Sequence, residues 1–180
     1  MKFLKLVIAG DGGVGKTTLM KVFCDQEYMD QMITIGIDIH SKIAIVNDDE
    51  YYLQIWDFSG QEQFRFLMNS FVQGSYGAIL AFECSRYTSF INLPQWINIL
   101  RSENSELPIF LIATKVDKAY HPLIKHNMIS EIIEKYNLVG FEETSSKNEI
   151  NIHIPFKKIL ENIFGLIPKK SEIIFKNKEK

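Results

Sequence analysis

A glycine-rich loop near the start of the chain constrains the fold more than any other segment. The loop GDGGVGKTT, residues 10–18, follows the apolar run KFLKLVIA and precedes the helical pattern KTTLMKVFCDQ. Gly10, Gly15, Lys16 and Thr17 have the spacing of a phosphate-binding loop, in the strand–loop–helix setting that this motif requires. Its backbone N–H groups and the following helix favour phosphate. We expect Lys16 to contact the outer phosphates and Thr17 to ligate magnesium.

The remainder of the chain alternates short apolar runs with helical patterns. An antiparallel hairpin is predicted for IDIHSKIAIVN and YYLQIWDF, which flank the turn NDDE. Strands buried on both faces are predicted for GAILAFE, PIFLIATK and LVGFEE. The alternation predicts an α/β fold, and together with the phosphate-binding loop it indicates the P-loop NTPase class. We expect a single three-layer domain whose six-stranded, mostly parallel sheet has one antiparallel edge strand and about five helices.

Two prolines lie within helical patterns. Pro94 falls inside SFINLPQWINILRSE and is expected to break or kink that helix. Pro155 falls inside NIHIPFKKILENIFG, where Asn151 as N-cap would place it in the first turn, a position that tolerates proline.

Composition fits one domain without a strongly charged surface. Of 180 residues 46% are hydrophobic, and the formal net charge is -2, which gives no field that would recruit nucleic acid. We expect a monomer without a nucleic-acid partner. The domain is predicted over residues 1–167, followed by a lysine-rich, disordered tail over residues 168–180.

No segment indicates secretion or membrane insertion. Cys24 and Cys84 form no CxxC motif, and no apolar run approaches the ~20 residues that cross a bilayer. Neither Lys2 nor the ending FKNKEK provides a lipid-attachment signal. We expect a cytoplasmic protein whose contact with a membrane surface, through the tail lysines, is at most peripheral.

A second motif follows the predicted third strand. In WDFSGQEQF, Asp57 ends the strand, where it can hold magnesium through a water molecule. Gly60 offers a backbone N–H to a terminal phosphate, and Gln61 can orient a water molecule. Thr34, before the second strand, offers a hydroxyl ligand for magnesium. Each feature alone also fits an ordinary turn or strand.

Two later segments indicate which base is bound. TKVD, residues 114–117, ends the predicted fifth strand, and ETSSK follows the sixth. Asp117 can accept hydrogen bonds from the N1–H and 2-amino groups of guanine, a donor pair that adenine lacks. Lys115 can lay its methylene chain along the base, and the backbone N–H of Ser146 can reach the guanine oxygen. These segments favour guanine.

Together the motifs resemble those of small GTPases of the Ras superfamily, and TIGIDI, WDFSGQEQFR and FVQGSYGAIL are most similar to the Rab branch. The resemblance covers residues 3–164 and includes all five nucleotide-site motifs. It implies phosphate contacts for Gly12, Gly13 and Thr18, and edge-on packing of Tyr28 against guanine.

The resemblance also implies the roles of the remaining site residues. The expected catalytic residues are Lys16, Gly60 and Gln61, and the expected magnesium ligands are Thr17, Thr34 and, through water, Asp57. The expected nucleotide-binding residues are Asp11, Gly12, Gly13, Val14, Gly15, Lys16, Thr17, Thr18, Tyr28, Thr34, Gly60, Thr114, Lys115, Asp117, Ser145, Ser146 and Lys147. An exchange factor, a GTPase-activating protein and effectors would read two switch regions, at about residues 28–37 and 57–70.

The sequence departs from the family at several positions. DFSGQE replaces the usual DTAGQE, and the segment 28–34 is one residue shorter than in Rab proteins. Thr114 stands where most members have asparagine, so we expect the amide that braces this loop to be lost. The C-terminal cysteine that carries a prenyl anchor in Rab proteins is missing.

The arginines indicate slow turnover. None of Arg65, Arg86 and Arg101 lies between the glycine loop and Asp57, where a built-in arginine finger would be expected. We expect slow intrinsic hydrolysis and an activating protein that accelerates it by about 10³–10⁵. Two alternatives are a nucleotide-gated scaffold that binds GTP or GDP with little hydrolysis, and a P-loop kinase. A kinase needs an arginine-rich lid, which three scattered arginines do not supply.

Overall fold

The computed structural model describes residues 2–24, 36–58, 60, 68–166 and 172–176. Within them, seven strands and six helices alternate along most of the chain. In order they are β1 (Lys2–Ala9), α1 (Lys16–Phe23), β2 (Ile37–Val46), β3 (Asp49–Phe58), α2 (Met68–Val72), β4 (Gly77–Glu83), α3 (Tyr87–Ile91), α4 (Leu93–Leu100), β5 (Ile109–Thr114), α5 (His126–Lys135), β6 (Gly140–Glu143), α6 (Ile154–Ile163) and β7 (Ile173–Lys176).

The strands form one sheet in the order β6-β5-β4-β1-β3-β2-β7. β1 pairs in parallel with β3 and β4, and β5 pairs in parallel with β4 and β6. β2 pairs antiparallel with β3 and with β7. The predicted α/β fold is confirmed, with seven strands in place of six. β2 is therefore an inner strand, and the antiparallel edge is β7.

The strand β7 corrects the prediction of a disordered tail for the four residues that it includes. Ile173 and Phe175 point to one side and pack against the core, whereas Ile174 on the other side is exposed. The Phe175 ring packs edge-on against Phe23 at 5.1 Å between centroids. The lysines that surround these residues in the sequence obscured this period-2 alternation of buried and exposed side chains.

Each face of the sheet has its own hydrophobic core. Trp96 and Phe82 lie in the core on one face, and Phe23 and Phe156 stack at 3.7 Å in the core on the other. β4 and β5 are buried along their whole length, as strands of a parallel sheet covered on both faces should be. Among the residues described, no helix is both long enough and apolar enough to cross a bilayer.

The two prolines begin helices rather than interrupt them. α3 ends before Asn92 and α4 begins after it, with Pro94 in the first turn of α4, so the predicted break is confirmed. Pro155 lies in the first turn of α6, but the N-cap is His153, and the prediction of Asn151 was wrong. Asn151 has φ 54, and its amide donates to Glu142 Oε1 and Glu143 O, both at 3.0 Å.

We predict that Phe175→Ala lowers the free energy of unfolding by about 1–2 kcal/mol, because the half-buried ring loses its packing against Phe23. Ile174→Ala, on the exposed side of the same strand, should change it by less than about 0.5 kcal/mol. Urea denaturation measures both. Equal effects would contradict the pairing of β7 with the sheet.

Candidate functional site

The phosphate loop connects β1 to α1 and fits closely against the neighbouring strand β4. Gly10 has φ 137, and a Cβ on it would lie 2.2 Å from the carbonyl oxygen of Ala81. No side chain fits there, so the loop can take this path only with glycine at this position. The Gly15 residue is the N-cap of α1, and Lys16, Thr17 and Thr18 form its first turn.

Lys16 lies buried over the loop. Its ammonium donates hydrogen bonds to the carbonyl oxygens of Gly10, at 2.8 Å, and of Asp11, at 2.9 Å. Burial lowers the pKa of Lys16 to about 8, although the charges of Asp57 and Asp11 oppose this shift. A cation held this way inside a loop of backbone N–H groups is suited to bind an anion, whose charge would compensate for the lost hydration.

Thr17 and Asp57 form the candidate magnesium site. The Thr17 hydroxyl donates a hydrogen bond to Asp57 Oδ2, and the other carboxylate oxygen, Oδ1, is buried with no hydrogen-bond partner among the described residues. Burial raises the pKa of Asp57, and the charge of Lys16 opposes this. Magnesium prefers oxygen ligands and commonly takes only one or two from carboxylates. A hydroxyl beside an unpartnered carboxylate oxygen fits such an ion.

Gly60 contacts the phosphate loop directly. Its carbonyl oxygen accepts a hydrogen bond from the Gly12 N–H at 3.1 Å. A Cβ on Gly60 would lie 2.1 Å from the backbone of Asp11 and Gly12, so no other residue fits. The predicted second motif is thus brought against the first, with Asp57 and Gly60 both beside the loop.

Thr114 braces the base-binding segment against the phosphate loop. Its hydroxyl donates to the carbonyl oxygen of Val14, at 2.5 Å, and lies 3.0 Å from the carbonyl oxygen of Phe82. The amide of the usual asparagine is absent, as the sequence shows, but the shorter threonine side chain still braces the loop because its hydroxyl reaches the Val14 carbonyl.

Lys115 makes a second connection to the phosphate loop. Its ammonium donates to the Gly13 carbonyl oxygen at 2.7 Å and to Glu83 Oε2 at 2.8 Å. Glu83, at the end of β4, also accepts hydrogen bonds from Lys118, at 3.2 Å, and from the Ser85 hydroxyl, at 2.9 Å. These hydrogen bonds hold the Lys115 ammonium between the phosphate loop and the end of β4.

Glu83 was missed in the sequence, although an acidic residue ending the apolar run GAILAFE was a signal. Burial by itself would raise the pKa of Glu83, but hydrogen bonds from Lys115 and Ser85 prevail and lower it to about 2. Glu83 is therefore charged near neutral pH and holds Lys115 in place.

Asp117 lies exposed at the end of the same segment. Its Oδ1 accepts a hydrogen bond from the Ser145 hydroxyl at 2.5 Å, and Ser145 is fully buried. The Ser145 oxygen in turn accepts from the N–H of Asn148 at 3.2 Å. The structure thus brings ETSSK beside TKVD, with Ser146 half-buried and Lys147 exposed. A carboxylate held at one oxygen in a solvent-accessible position is suited to recognise a base.

Two side chains hold the phosphate loop from a third direction, those of Asn92, just before α4, and of Trp96 in α4. The Asp11 carboxylate accepts hydrogen bonds from Asn92 Nδ2 and Trp96 Nε1, each at 2.8 Å. Asp11 was expected to bind nucleotide, and its carboxylate contacts α4. Arg86, just before α3, donates from Nη2 to the Gly12 carbonyl oxygen at 2.8 Å. These contacts could not be predicted from the sequence, because they join positions more than 70 residues apart.

Three residues with expected roles lie outside the described part of the chain. They are Tyr28, Thr34 and Gln61. Their roles stay predictions.

Comparison with known proteins gives consistent matches along nearly the whole chain. The family model of the Ras family matches residues 5–165. The chain is similar to Ras-related protein Rab-1D of Dictyostelium discoideum, with 33% identity over 99% of this chain and 91% of that protein. It is also similar to Ras-related proteins RABA4a and RABA2a of Arabidopsis thaliana, with 31% and 32% identity over 93% of this chain and 74% and 77% of those proteins. The matches confirm the resemblance to the Rab branch.

We predict that the stability provided by Glu83 depends on pH. The pKa of Glu83 in the folded protein lies below its ordinary value, so its ion pairs stabilise the fold above that value and weaken as pH falls toward about 2. The difference in free energy of unfolding between wild type and Glu83→Gln should be full near pH 7 and smaller near pH 3. Urea denaturation at several pH values measures it.

Glu134→Gln provides the matched control, because Glu134 is exposed on α5. Its effect should be small at both pH values. A wild-type advantage over Glu83→Gln that is unchanged from pH 7 to pH 3 would contradict the assignment.

Proposed function

Because the chain belongs to the Ras family, we propose that it is a guanine-nucleotide switch that binds GTP with magnesium, hydrolyses it slowly and changes its surface when the γ-phosphate leaves. One observation carries this proposal. The segment that ends in Asp117 is bonded to the phosphate loop through Thr114 and Lys115. A carboxylate suited to guanine is thereby fixed relative to a loop suited to phosphates.

Base selection in the proposed function rests on Asp117. Its carboxylate would accept hydrogen bonds from the N1–H and 2-amino groups of guanine, which adenine cannot offer as a pair. Lys115 would lie along the base, while its ammonium keeps its contacts with Gly13 and Glu83. The neighbouring N–H of Ser146 would bind the guanine oxygen.

The phosphates would be bound by the N–H groups of residues 10–15 and by Lys16. Magnesium would be held by the Thr17 hydroxyl and, through water, by Asp57, with Thr34 as a further ligand. When bound, it supplies positive charge that stabilises the phosphate oxygens. Lys16 would exchange its contacts with loop carbonyls for contacts with the outer phosphates.

Hydrolysis would proceed by in-line attack of a water molecule oriented by Gln61, with charge on the γ-phosphate stabilised by Lys16 and the N–H of Gly60. Loss of the γ-phosphate would release Thr34 and Gly60, and with them both switch regions. Because Gly60 contacts Gly12, its release would also change the contacts of the phosphate loop.

Partners would act through the switch regions. An exchange factor would release GDP, an activating protein would accelerate hydrolysis, and effectors would bind the GTP form, in membrane traffic or signalling. We place the protein in the cytoplasm as a monomer, with peripheral contact at a membrane surface at most.

We predict that the purified protein retains GDP and that Lys16→Ala loses it, because the buried ammonium is the main positive charge in the loop. The nucleotide is extracted from the denatured protein and identified by chromatography. Lys135→Ala, which removes an exposed lysine on α5, should retain GDP as the wild type does. Bound GDP in Lys16→Ala would contradict the assignment.

We also predict that Asp117→Ala reduces the preference for GDP over ADP by about 10² to 10⁴, since two hydrogen bonds to a charged group are worth about 1.5–3 kcal/mol each. Competition against a fluorescent GDP analogue measures this ratio. Glu134→Ala removes an exposed carboxylate elsewhere and should leave the ratio unchanged. A wild-type ratio near one would contradict guanine selection by this site.

A further inference from the structure

Arg86 lies in the turn between β4 and α3, and its side chain reaches the phosphate loop. Nη2 donates a hydrogen bond to the Gly12 carbonyl oxygen at 2.8 Å. A Cβ placed on Gly13 would lie 3.8 Å from Nη1, so the guanidinium extends past two consecutive loop residues. These are the residues expected to face the phosphates.

The turn that carries Arg86 is firmly held by hydrogen bonds. The N–H of Arg86 donates to the Glu83 carbonyl oxygen at 3.0 Å, and the Ser89 hydroxyl donates to the Arg86 carbonyl oxygen at 2.7 Å. Ser89 is buried, and its oxygen also accepts from the Glu83 N–H at 3.0 Å. The backbone of Arg86 is therefore fixed to the end of β4, and its side chain starts from a defined position.

The guanidinium is partly withdrawn from solvent. Its Nε is buried and has no hydrogen-bond partner in the part of the chain that the structure describes. The charge of Arg86 lowers the pKa of Lys16, although burial is the larger cause of that shift. Two cations therefore act on the same short loop, and a bound anion would relieve their repulsion.

We propose that Arg86 is a positioning residue of the phosphate site, which fixes the Gly12–Gly13 peptide and supplies a second positive charge from within the chain. This inference rests on the proposed function. Through the Gly12 carbonyl it holds the loop N–H groups toward the phosphates, and its charge slows nucleotide release. This role of Arg86 could not be predicted from the sequence, because a built-in arginine was expected before Asp57.

The test compares dissociation of a fluorescent GDP analogue from wild type and three variants. Arg86→Ala removes the charge and the donors, Arg86→Gln keeps a donor without charge, and Arg86→Lys keeps charge and a donor. We expect Ala and Gln to accelerate dissociation by about ten- to a hundredfold, as for loss of a charge-assisted hydrogen bond, and Lys to restore most of the wild-type rate.

Arg101→Ala is the matched control. The Arg101 guanidinium also donates to backbone carbonyls, those of Leu107, Tyr136 and Asn137, and none of these residues belongs to the phosphate loop. Its loss should lower the thermal midpoint without changing the dissociation rate. Thermal unfolding of every variant shows whether it is folded, and the rates are compared among folded variants only.

Three outcomes overturn the inference. They are unchanged rates in Arg86→Ala and Arg86→Gln, no rescue by Arg86→Lys, or an equal acceleration in Arg101→Ala. Wild type that binds no guanine nucleotide would instead overturn the proposed function, so the two failures are distinguishable.

Discussion

Two hydrogen bonds from the end of β5 to the phosphate loop hold the site together. Thr114 bonds to the Val14 carbonyl and Lys115 to the Gly13 carbonyl, so the segment carrying Asp117 and the loop cannot move independently. A ligand that contacts both is bound by elements already in position, and less conformational entropy is lost on binding. The same loop also contacts Gly60, two residues after β3, Arg86, just before α3, and Asn92, between α3 and α4.

The charges of the site are arranged in coupled pairs. Glu83 fixes Lys115, and the low pKa of Glu83 keeps this pair charged over a wide pH range. Lys16 and Asp57 are both buried. Burial lowers the pKa of Lys16 and raises the pKa of Asp57, so it favours the neutral form of each group. Magnesium would place a positive charge beside Asp57, and a polyphosphate would place negative charge beside Lys16. Ligand binding and stability of the site should therefore be linked.

The sequence predicted what depends on local spacing. The glycine loop, the α/β alternation and the positions of Asp57, Gly60 and Asp117 follow from short motifs and from hydrophobic periodicity, and the structure brings these segments to the same end of the sheet. Pro94 was interpreted correctly because its effect on a helix is local.

Contacts between distant segments could not be predicted. The tail forms β7, in which the Phe175 ring packs against Phe23. No local sequence pattern specifies this contact. Asn151 was expected as an N-cap, but its amide donates hydrogen bonds to Glu142 and Glu143 at the end of β6. The hydroxyl of Thr114 replaces a longer amide only because Val14 lies within its reach. Arg86 likewise acts at a loop 74 positions earlier in the chain.

The central claim is that these linked loops form a guanine-nucleotide site whose terminal phosphate is hydrolysed. Release of phosphate by the purified protein, with magnesium and either GTP or ATP, tests it most directly. We expect slow release from GTP, on the order of 10⁻⁴ to 10⁻² s⁻¹, and none above background from ATP. Equal release from both nucleotides, or release from ATP alone, would contradict the account. Tight GTP binding without release would favour the nucleotide-gated scaffold.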